Sequence, residues 1–353
     1  MIRMSRPILL VLLALAFLSP NAHAWIRSPA TTFATLPADS GGPEGITADA
    51  KGNIYVSSFG FTATGPLSGP GQVFVFDHNG KLLRQLSLLV NGSTPSSPHL
   101  LGLRFHPTTG ALLVLDFGAA QVLDVDPLTG LSSVFMTLPA LPHPGGAGLN
   151  ELTFDNAGNV YVSDSFQGIV WRTSSTGGVA TAGVNDPLLR TSGVPPFGAN
   201  GLRFNNAQDA LFVANTGNRT VVKIPVSGSP LVPGTPAVFV NSIAGADGLL
   251  IDEDDNIWVA ANQADEIVII DTTGRVIAKL ADFEGLSPDT TVKGLLFPAS
   301  LVFSGEFLYV TNLALDLRLF GITEAVDSQW AAQVARYTVS KIRARIPPVS
   351  SLP

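Results

Sequence analysis

One motif of about 50 residues recurs six times between residues 44 and 310, and no other feature of the chain constrains its fold as strongly. Each copy reads as a turn, a short apolar strand, a polar turn often containing Gly, and a second apolar strand. The copies open at Glu44-Gly45-Ile46, Leu101-Gly102-Leu103, Asn150-Glu151-Leu152, Asn200-Gly201-Leu202, Asp247-Gly248-Leu249 and Ala299-Ser300-Leu301, with the last the weakest match. Successive openings are 57, 49, 50, 47 and 52 residues apart. The second strands align as well, for example Asn53-Ile54-Tyr55-Val56, Asn159-Val160-Tyr161-Val162 and Asn256-Ile257-Trp258-Val259. Third and fourth strands follow, as in Glu266-Ile267-Val268-Ile269-Ile270 and Ser133-Val134-Phe135-Met136. Four short strands in each of six even repeats predict an all-β, six-bladed β-propeller. A sandwich or a solenoid would not need such equal spacing.

A blade packs both faces against its neighbours, so its strands should read as nearly continuous apolar runs. The composition agrees: 46% of residues are hydrophobic and only 13% are charged, about half the usual share of roughly 25%. That balance excludes a disordered chain or a charged helical bundle. The segment Thr31 to Leu36 precedes the first copy and can close the ring as the outer strand of the last blade. The propeller is expected over 25–340. The stretch 341–353, with three basic residues and two adjacent prolines, reads as a C-terminal tail.

The N-terminus reads as a signal peptide over 1–24. Arg3 and Arg6 precede an unbroken apolar run from Ile8 to Leu18, Pro20 ends it, and Ala22-His23-Ala24 supplies a small-x-small cleavage pattern. The apolar run is short for a bilayer span. The mature chain would begin at Trp25 and be secreted or periplasmic, with no membrane association once the leader is gone. No Cys occurs, which excludes disulfides, thiol catalysis and thiolate metal sites. The net charge of −7 and the lack of a basic stripe argue against a nucleic-acid partner.

In a propeller the residue that opens each inner strand projects toward the axis at one mouth of the channel. Read in blade order, that column is Glu44, Leu101, Asn150, Asn200, Asp247 and Ala299. Two carboxylates and two amide carbonyls converging on one axis form a hard-cation site, and their two negative charges match one divalent ion. Calcium is the expected cofactor, with another divalent ion as the alternative. The absence of Cys and of a column His argues against zinc or copper. Asp247, bound through one oxygen, could serve as general base or nucleophile. Strand-starting turns would also use Asn and Asp, but Glu44 is a poor turn former, and an unneutralised carboxylate pair would be costly.

These residues also carry a family resemblance. Blade three, Leu149-Asn150-Glu151-Leu152 through Gly158-Asn159-Val160-Tyr161-Val162-Ser163-Asp164, resembles the Asn-Asp motif and D-x-x-G-x-x-Y-x-x-D run of the gluconolactonase, or senescence-marker (regucalcin), family of calcium-dependent six-bladed propellers. Ala199-Asn200-Gly201-Leu202-Arg203-Phe204 is similar to its P-N-G-L-x-F strand. Asp247-Gly248-Leu249 with Asn256-Ile257-Trp258-Val259-Ala260 resembles its P-D-G-L … N-L-W-V-A pair, and Pro43-Glu44-Gly45 its E-G start. The group also resembles diisopropylfluorophosphatase and, more distantly, the paraoxonases. The resemblance implies metal ligands in blades one, three, four and five. Three positions depart from it. Glu151 stands where the family has Asp, Asn215 stands where an Asp usually follows blade four's second strand, and Gly148 and Leu149 replace a lactone-contacting Arg. The metal set is kept, whereas the missing Arg argues against sugar-lactone specificity.

Loops after the second strands open on the same mouth and carry Asp116, Asp164, Asn215, Asn262 and Asn312. Of these, Asn215 is a candidate substrate contact, together with Phe197. His99 is a further candidate, because paraoxonase-like sites use a His near blade two's inner strand. Phe61, Leu101, Phe166 and Phe197 would wall the mouth, and the long loop from Phe59 to Pro70 could cover it. His78 and His106 fall in turns on the opposite side and are expected to be solvated. There is no Gly-x-Ser-x-Gly elbow, phosphate loop or dinucleotide fingerprint. The expected activity is an exported calcium-dependent hydrolase acting on an uncharged lactone or ester. The competing readings are a non-enzymatic NHL-type binding propeller with structural calcium, suggested by Ala214-Asn215-Thr216-Gly217-Asn218-Arg219, and a strictosidine-synthase-like propeller.

Overall fold

The computed structural model describes residues 28–346 apart from 229, 324 and 326, and the expected leader over 1–24 lies outside them. Each repeat becomes an antiparallel unit whose strands run outward from an inner edge. In the fifth, Ala246–Ile251, Ile257–Ala261, Glu266–Ile270 and Val276–Leu280 pair in chain order. The inner strands of the others are Pro43–Ala48, Leu100–Phe105, Leu149–Phe154, Ala199–Phe204 and Pro298–Ser304. Each inner strand touches the next, and the last touches the first, so the units close a ring around one axis.

Closure rests on hydrogen bonds between the chain's two ends. Thr31–Thr35 pairs antiparallel with Thr338–Arg343, which pairs in turn with Phe307–Asn312 of the sixth unit. The tail expected from residue 341 therefore begins later. Lys341, Ile342 and Arg343 complete the strand, and Ile342 is buried. Apolar layers fill the spaces between units, as where Tyr55, Val73 and Val75 of the first meet Leu100, Leu112 and Val114 of the second. This two-sided burial is what the near-continuous apolar strands require.

The repeated Asp–Asn signature builds the turn on the far side of the ring. Asp155 Oδ1 accepts the backbone N–H groups of Ala157 and Asn159, while its Oδ2 accepts from Asn159 Nδ2 at 2.7 Å and from the Tyr161 hydroxyl at 3.1 Å. Asp252 does the same with Asn256 and Trp258. The turn needs one left-handed residue, supplied by Gly158 at φ 79° and by Asp255 at φ 60°. His106, expected in solvent on this side, is buried. Its Nε2 lies 2.8 Å from the Gly158 carbonyl oxygen, and Thr108 and Thr109 point their N–H groups at Nδ1. The small Gly of the next unit leaves room for the ring, and the turn's polar groups then satisfy it.

Two features lie outside the repeat. The outer edges of the second and third units are joined, with Met136 opposite Gly178 and Thr137 opposite Val179. In the sixth unit, 25 residues (313–337) separate Phe307–Asn312 from Thr338–Arg343. This insertion carries the 3-10 turn Leu317–Phe320 and the one-turn helix Ser328–Ala331.

Candidate functional site

Every inner strand slips register against its partner at the same place. The slips fall between Pro43 and Ile46, Leu100 and Leu103, Leu149 and Leu152, Ala199 and Leu202, Ala246 and Leu249, and Pro298 and Leu301. Such bulges re-aim a side chain out of the alternating pattern. The residues re-aimed here are the column read from sequence. Gly follows four of them because the bulged backbones crowd the axis. A Cβ on Gly45 would sit 2.3 Å from the Leu101 carbonyl oxygen, and one on Gly201 2.4 Å from that of Asp247. Hydroxyls on the second strands satisfy the bulges. Ser57 accepts from Gly45 N–H, Ser163 from Glu151 N–H and Thr311 from Ser300 N–H. Thr311 also donates to the Glu44 carbonyl at 2.7 Å, tying the sixth unit to the first.

Glu44, Asn150, Asn200 and Asp247 line one pit of about 390 Å³, counting its open mouth. Leu101 lines it too, while Ala299 is wholly buried. Each of the four polar residues is at most 7% exposed. Three of their oxygens, Glu44 Oε2, Asn200 Oδ1 and Asp247 Oδ1, are buried without any hydrogen-bond partner. Buried acceptors left unpaired cost about 1–3 kcal/mol each, more when charged. Three of them from three units, aimed at one space, fit a hard cation. Among the described residues no three His, Cys, Asp or Glu side chains gather as a ligand set, so the amide oxygens are required for this one.

The other atoms of these side chains are braced. Asn262 Nδ2 donates to Asp247 Oδ2 at 2.7 Å, and Gln263 Nε2 donates to Asn262 Oδ1 at 3.1 Å. Thr216 accepts from Asn200 Nδ2 at 3.0 Å and donates to the Ala246 carbonyl at 2.8 Å. Each brace leaves one oxygen for the pit. Burial pushes the Glu44 carboxyl well above the usual range, with the Asp247 and Glu151 charges adding to it. Burial likewise lifts Asp247 to about 7, against the lowering effect of the Asn262 hydrogen bond. A bound divalent ion reverses this logic by favouring both carboxylates.

Glu151 turns away from the pit. Its Oε2 lies 3.3 Å from Arg203 NH2, with both side chains buried, and Arg203 also donates to the Leu152 and Leu202 carbonyls. Nearby, burial and the Arg203 charge push Arg104 down to about 9.

Among the expected substrate contacts, Phe197 lines the pit. Asn215 does not reach it. Its amide is spent on the carbonyls of Leu188 and Arg190, both at 2.9 Å, and its Oδ1 accepts Asn218 N–H. His99 sits at the rim, with Nδ1 2.7 Å from the Phe59 carbonyl oxygen and its ring stacked on Phe61 at 4.7 Å. Asp116, Asp164 and Asn312 pin loops through backbone N–H groups, so of the five only Asn262, one step past its strand's end and in the register of Thr216, enters the pit. The loop expected to cover the mouth folds into a small hairpin, Phe61–Thr62 with Gly65–Pro66, and sends Phe59 into the pit.

Sequence reasoning missed Phe117, Thr216, Phe297, Leu313 and Leu315, which complete the lining. One signal for the last two was present. The gap between the second strand of the sixth copy and the end of the chain is too long for a turn, and long insertions in compact folds are usually functional.

A family model described as SMP-30/Gluconolactonase/LRE-like region matches residues 96–282. Comparison with curated proteins found no match. Among solved structures, a luciferin-regenerating enzyme is similar at a TM-score of 0.60 and 16% identity, covering 87% of this chain and 92% of that one. The calcium-binding protein regucalcin from Agrobacterium tumefaciens str. C58 is similar at 0.59 and 16% identity, covering 92% and 98%. A gluconolactonase from Xanthomonas campestris is similar at 0.52 and 12% identity, covering 88% and 98%. At these identities the likeness is one of fold.

Proposed function

The chain belongs to the SMP-30/gluconolactonase/LRE-like family, and from that premise we propose that it is an exported, calcium-dependent hydrolase of uncharged lactones or related esters. The observation that carries the reading is the set of three partnerless buried oxygens, from Glu44, Asn200 and Asp247, facing one pit. Asn150 supplies the fourth donor. A calcium ion held there supplies a Lewis acid for the substrate carbonyl.

The chain's own residues do the rest. Asn262 holds Asp247 Oδ2, which fixes the carboxyl and leaves Oδ1 toward the pit. That oxygen can take a proton from attacking water, or attack the carbonyl carbon itself. Thr216 holds Asn200 with its carbonyl oxygen turned inward. Phe59, Phe117 and Phe297 exclude bulk water from the reacting atoms, which strengthens each electrostatic contact in the pit.

The test is a panel of lactones and aryl esters, assayed in calcium and after chelation. Turnover that disappears with chelator and returns with calcium is expected. A panel that stays at the buffer rate, with calcium bound and the fold intact, would leave a binding propeller. Export belongs to the same proposal and rests on the segment 1–24. Protein recovered from the periplasm or medium should begin at Trp25, and finding only full-length chain in the cytosol overturns it.

A further inference from the structure

The rings around the mouth touch one another without a break. Phe320, from the insertion in the sixth unit, lies 4.9 Å from Phe61 of the first, and Phe61 stacks on His99 of the second. On the inner side Phe59 meets Phe117 at 5.6 Å, and Phe117 meets Phe166 of the third unit at 5.8 Å. Phe166 stacks on Phe197, in the loop entering the fourth, at 5.8 Å. Five of the six units therefore contribute to one aromatic collar. Phe166 and Phe320 remain 39% and 42% exposed, so these rings are not core filling. Contiguous apolar surface left open at a pit marks a ligand site.

Only one polar ring belongs to the collar, His99, and only its Nε2 is left for a ligand. The Nδ1 of His99 is engaged by the Phe59 carbonyl. No Lys or Arg lines the pit, and its polar residues are the four column side chains with Thr216 and Asn262, which brace two of them. A polyhydroxylated ring entering here would give up hydrogen bonds to water and find few in exchange. A hydrocarbon substituent would be taken out of water against the rings, at about fourfold in affinity per methylene.

We infer that the pit selects an uncharged lactone or ester bearing an apolar hydrocarbon substituent, held by this collar, and that it rejects polyhydroxylated lactones. The inference rests on the reaction proposed above but is tested apart from it. The probes are γ-lactams, which are not hydrolysed, carrying no side chain, a butyl chain or a hexyl chain, together with gluconolactam. Binding to the calcium-loaded protein is followed by calorimetry. Affinity should climb by about fourfold per methylene along the alkyl series, with gluconolactam weakest. Phe166→Ser and Phe320→Ser, both at exposed rings, should each weaken the hexyl lactam by about three- to tenfold and leave the unsubstituted lactam within about twofold. Leu128→Ser, in an exposed turn on the opposite side of the ring, should change nothing.

A flat alkyl series, or gluconolactam as the tightest ligand, overturns the inference whether or not lactones are hydrolysed. If the alkyl series climbs as expected while no matching lactone is turned over, the collar assignment stands and the hydrolase reading fails.

Discussion

Units one, three, four and five differ from units two and six at a single position of an otherwise shared device. All six inner strands carry the same bulge, and all six aim its residue at the axis. Four place an oxygen there. Units two and six, which flank unit one, place Leu101 and Ala299. The apolar pair also brings further apolar lining, with Phe117 following unit two's second strand and Phe297, Leu313 and Leu315 coming from around unit six. The backbone therefore fixes where side chains converge, and one residue per unit decides what chemistry meets there. The pit thus joins an oxygen set that suits an ion to an apolar lining that suits hydrocarbon, the lining being weighted toward units two and six with Phe59 and Phe197 added from units one and four.

The sharpest way to break this contrast is to make similar small changes in the two parts. Asp247→Asn keeps the shape of the side chain and removes its charge. It should lower kcat/KM by about 10²–10⁴-fold at saturating calcium, the range for loss of a general base. Leu101→Val, at the matching bulge of unit two, should leave the rate within about threefold, because it trims one methylene from a wall. Comparable losses in both variants would mean that the two parts do not differ in this way.

The next effect concerns buried acids and how each is neutralised. Asp247 faces the proposed ion, whereas Asp265, in the loop after the second strand of the same unit, faces a backbone N–H from Phe297 at 2.7 Å. Burial lifts Asp265 to about 8, with Asp327, Asp282 and Glu266 adding to the rise. The folded protein thus keeps a proton that the unfolded chain releases near pH 4. Stability from this group is full below that pH and declines as pH rises toward 8, by at most about 5 kcal/mol. Urea midpoints at pH 5 and pH 8.5, with calcium saturating, should fall more steeply for the parent than for Asp265→Asn. Equal slopes would show that the proton is not held at Asp265.

What could be read from the sequence follows from how local each signal is. The repeat and the column depend on spacing within about 50 residues, and the repeat copies that spacing six times. The closing strand Thr31–Thr35, paired with the far end of the chain, could be read because a ring of repeats needs one outer strand to close it. The orientation of Glu151 depends on Arg203, which is 52 positions away, and that of Asn215 on carbonyls 25 and 27 residues upstream. Such partners are set by the packing of neighbouring units, and nothing in the local pattern announces them. His106 was misplaced for the same reason, since its shelter is a turn of the next unit. The insertion 313–337 follows no period at all, so its length marked a functional segment, but neither which of its residues line the pit nor the true end of the last strand could be read ahead.

The smallest expected effect is also the most discriminating, because it compares one residue type at positions one step apart in register. Asn215 ends the second strand of unit four, opposite Ala199, whereas Asn262 follows that of unit five, one step past Ala261, which stands opposite Ala246; both are almost fully buried. Asn262 holds Asp247 through Nδ2 at 2.7 Å, so Asn262→Ala removes that hold and frees the carboxyl to rotate. An active-site misplacement of this kind should lower the rate by about tenfold or more and weaken calcium binding with it. Asn215→Ala removes a clamp on the carbonyls of Leu188 and Arg190, whose loss falls on the stability of that loop, at about 1–3 kcal/mol. Its calcium affinity, KM and kcat should stay within about twofold of the parent, because none of its atoms reaches the pit. Calorimetry and steady-state rates on the two variants settle the matter. A rate loss in Asn215→Ala that matches the loss in Asn262→Ala would show that the rim of unit four takes part in the reaction, and the line drawn here between ligand brace and loop clamp would have to move.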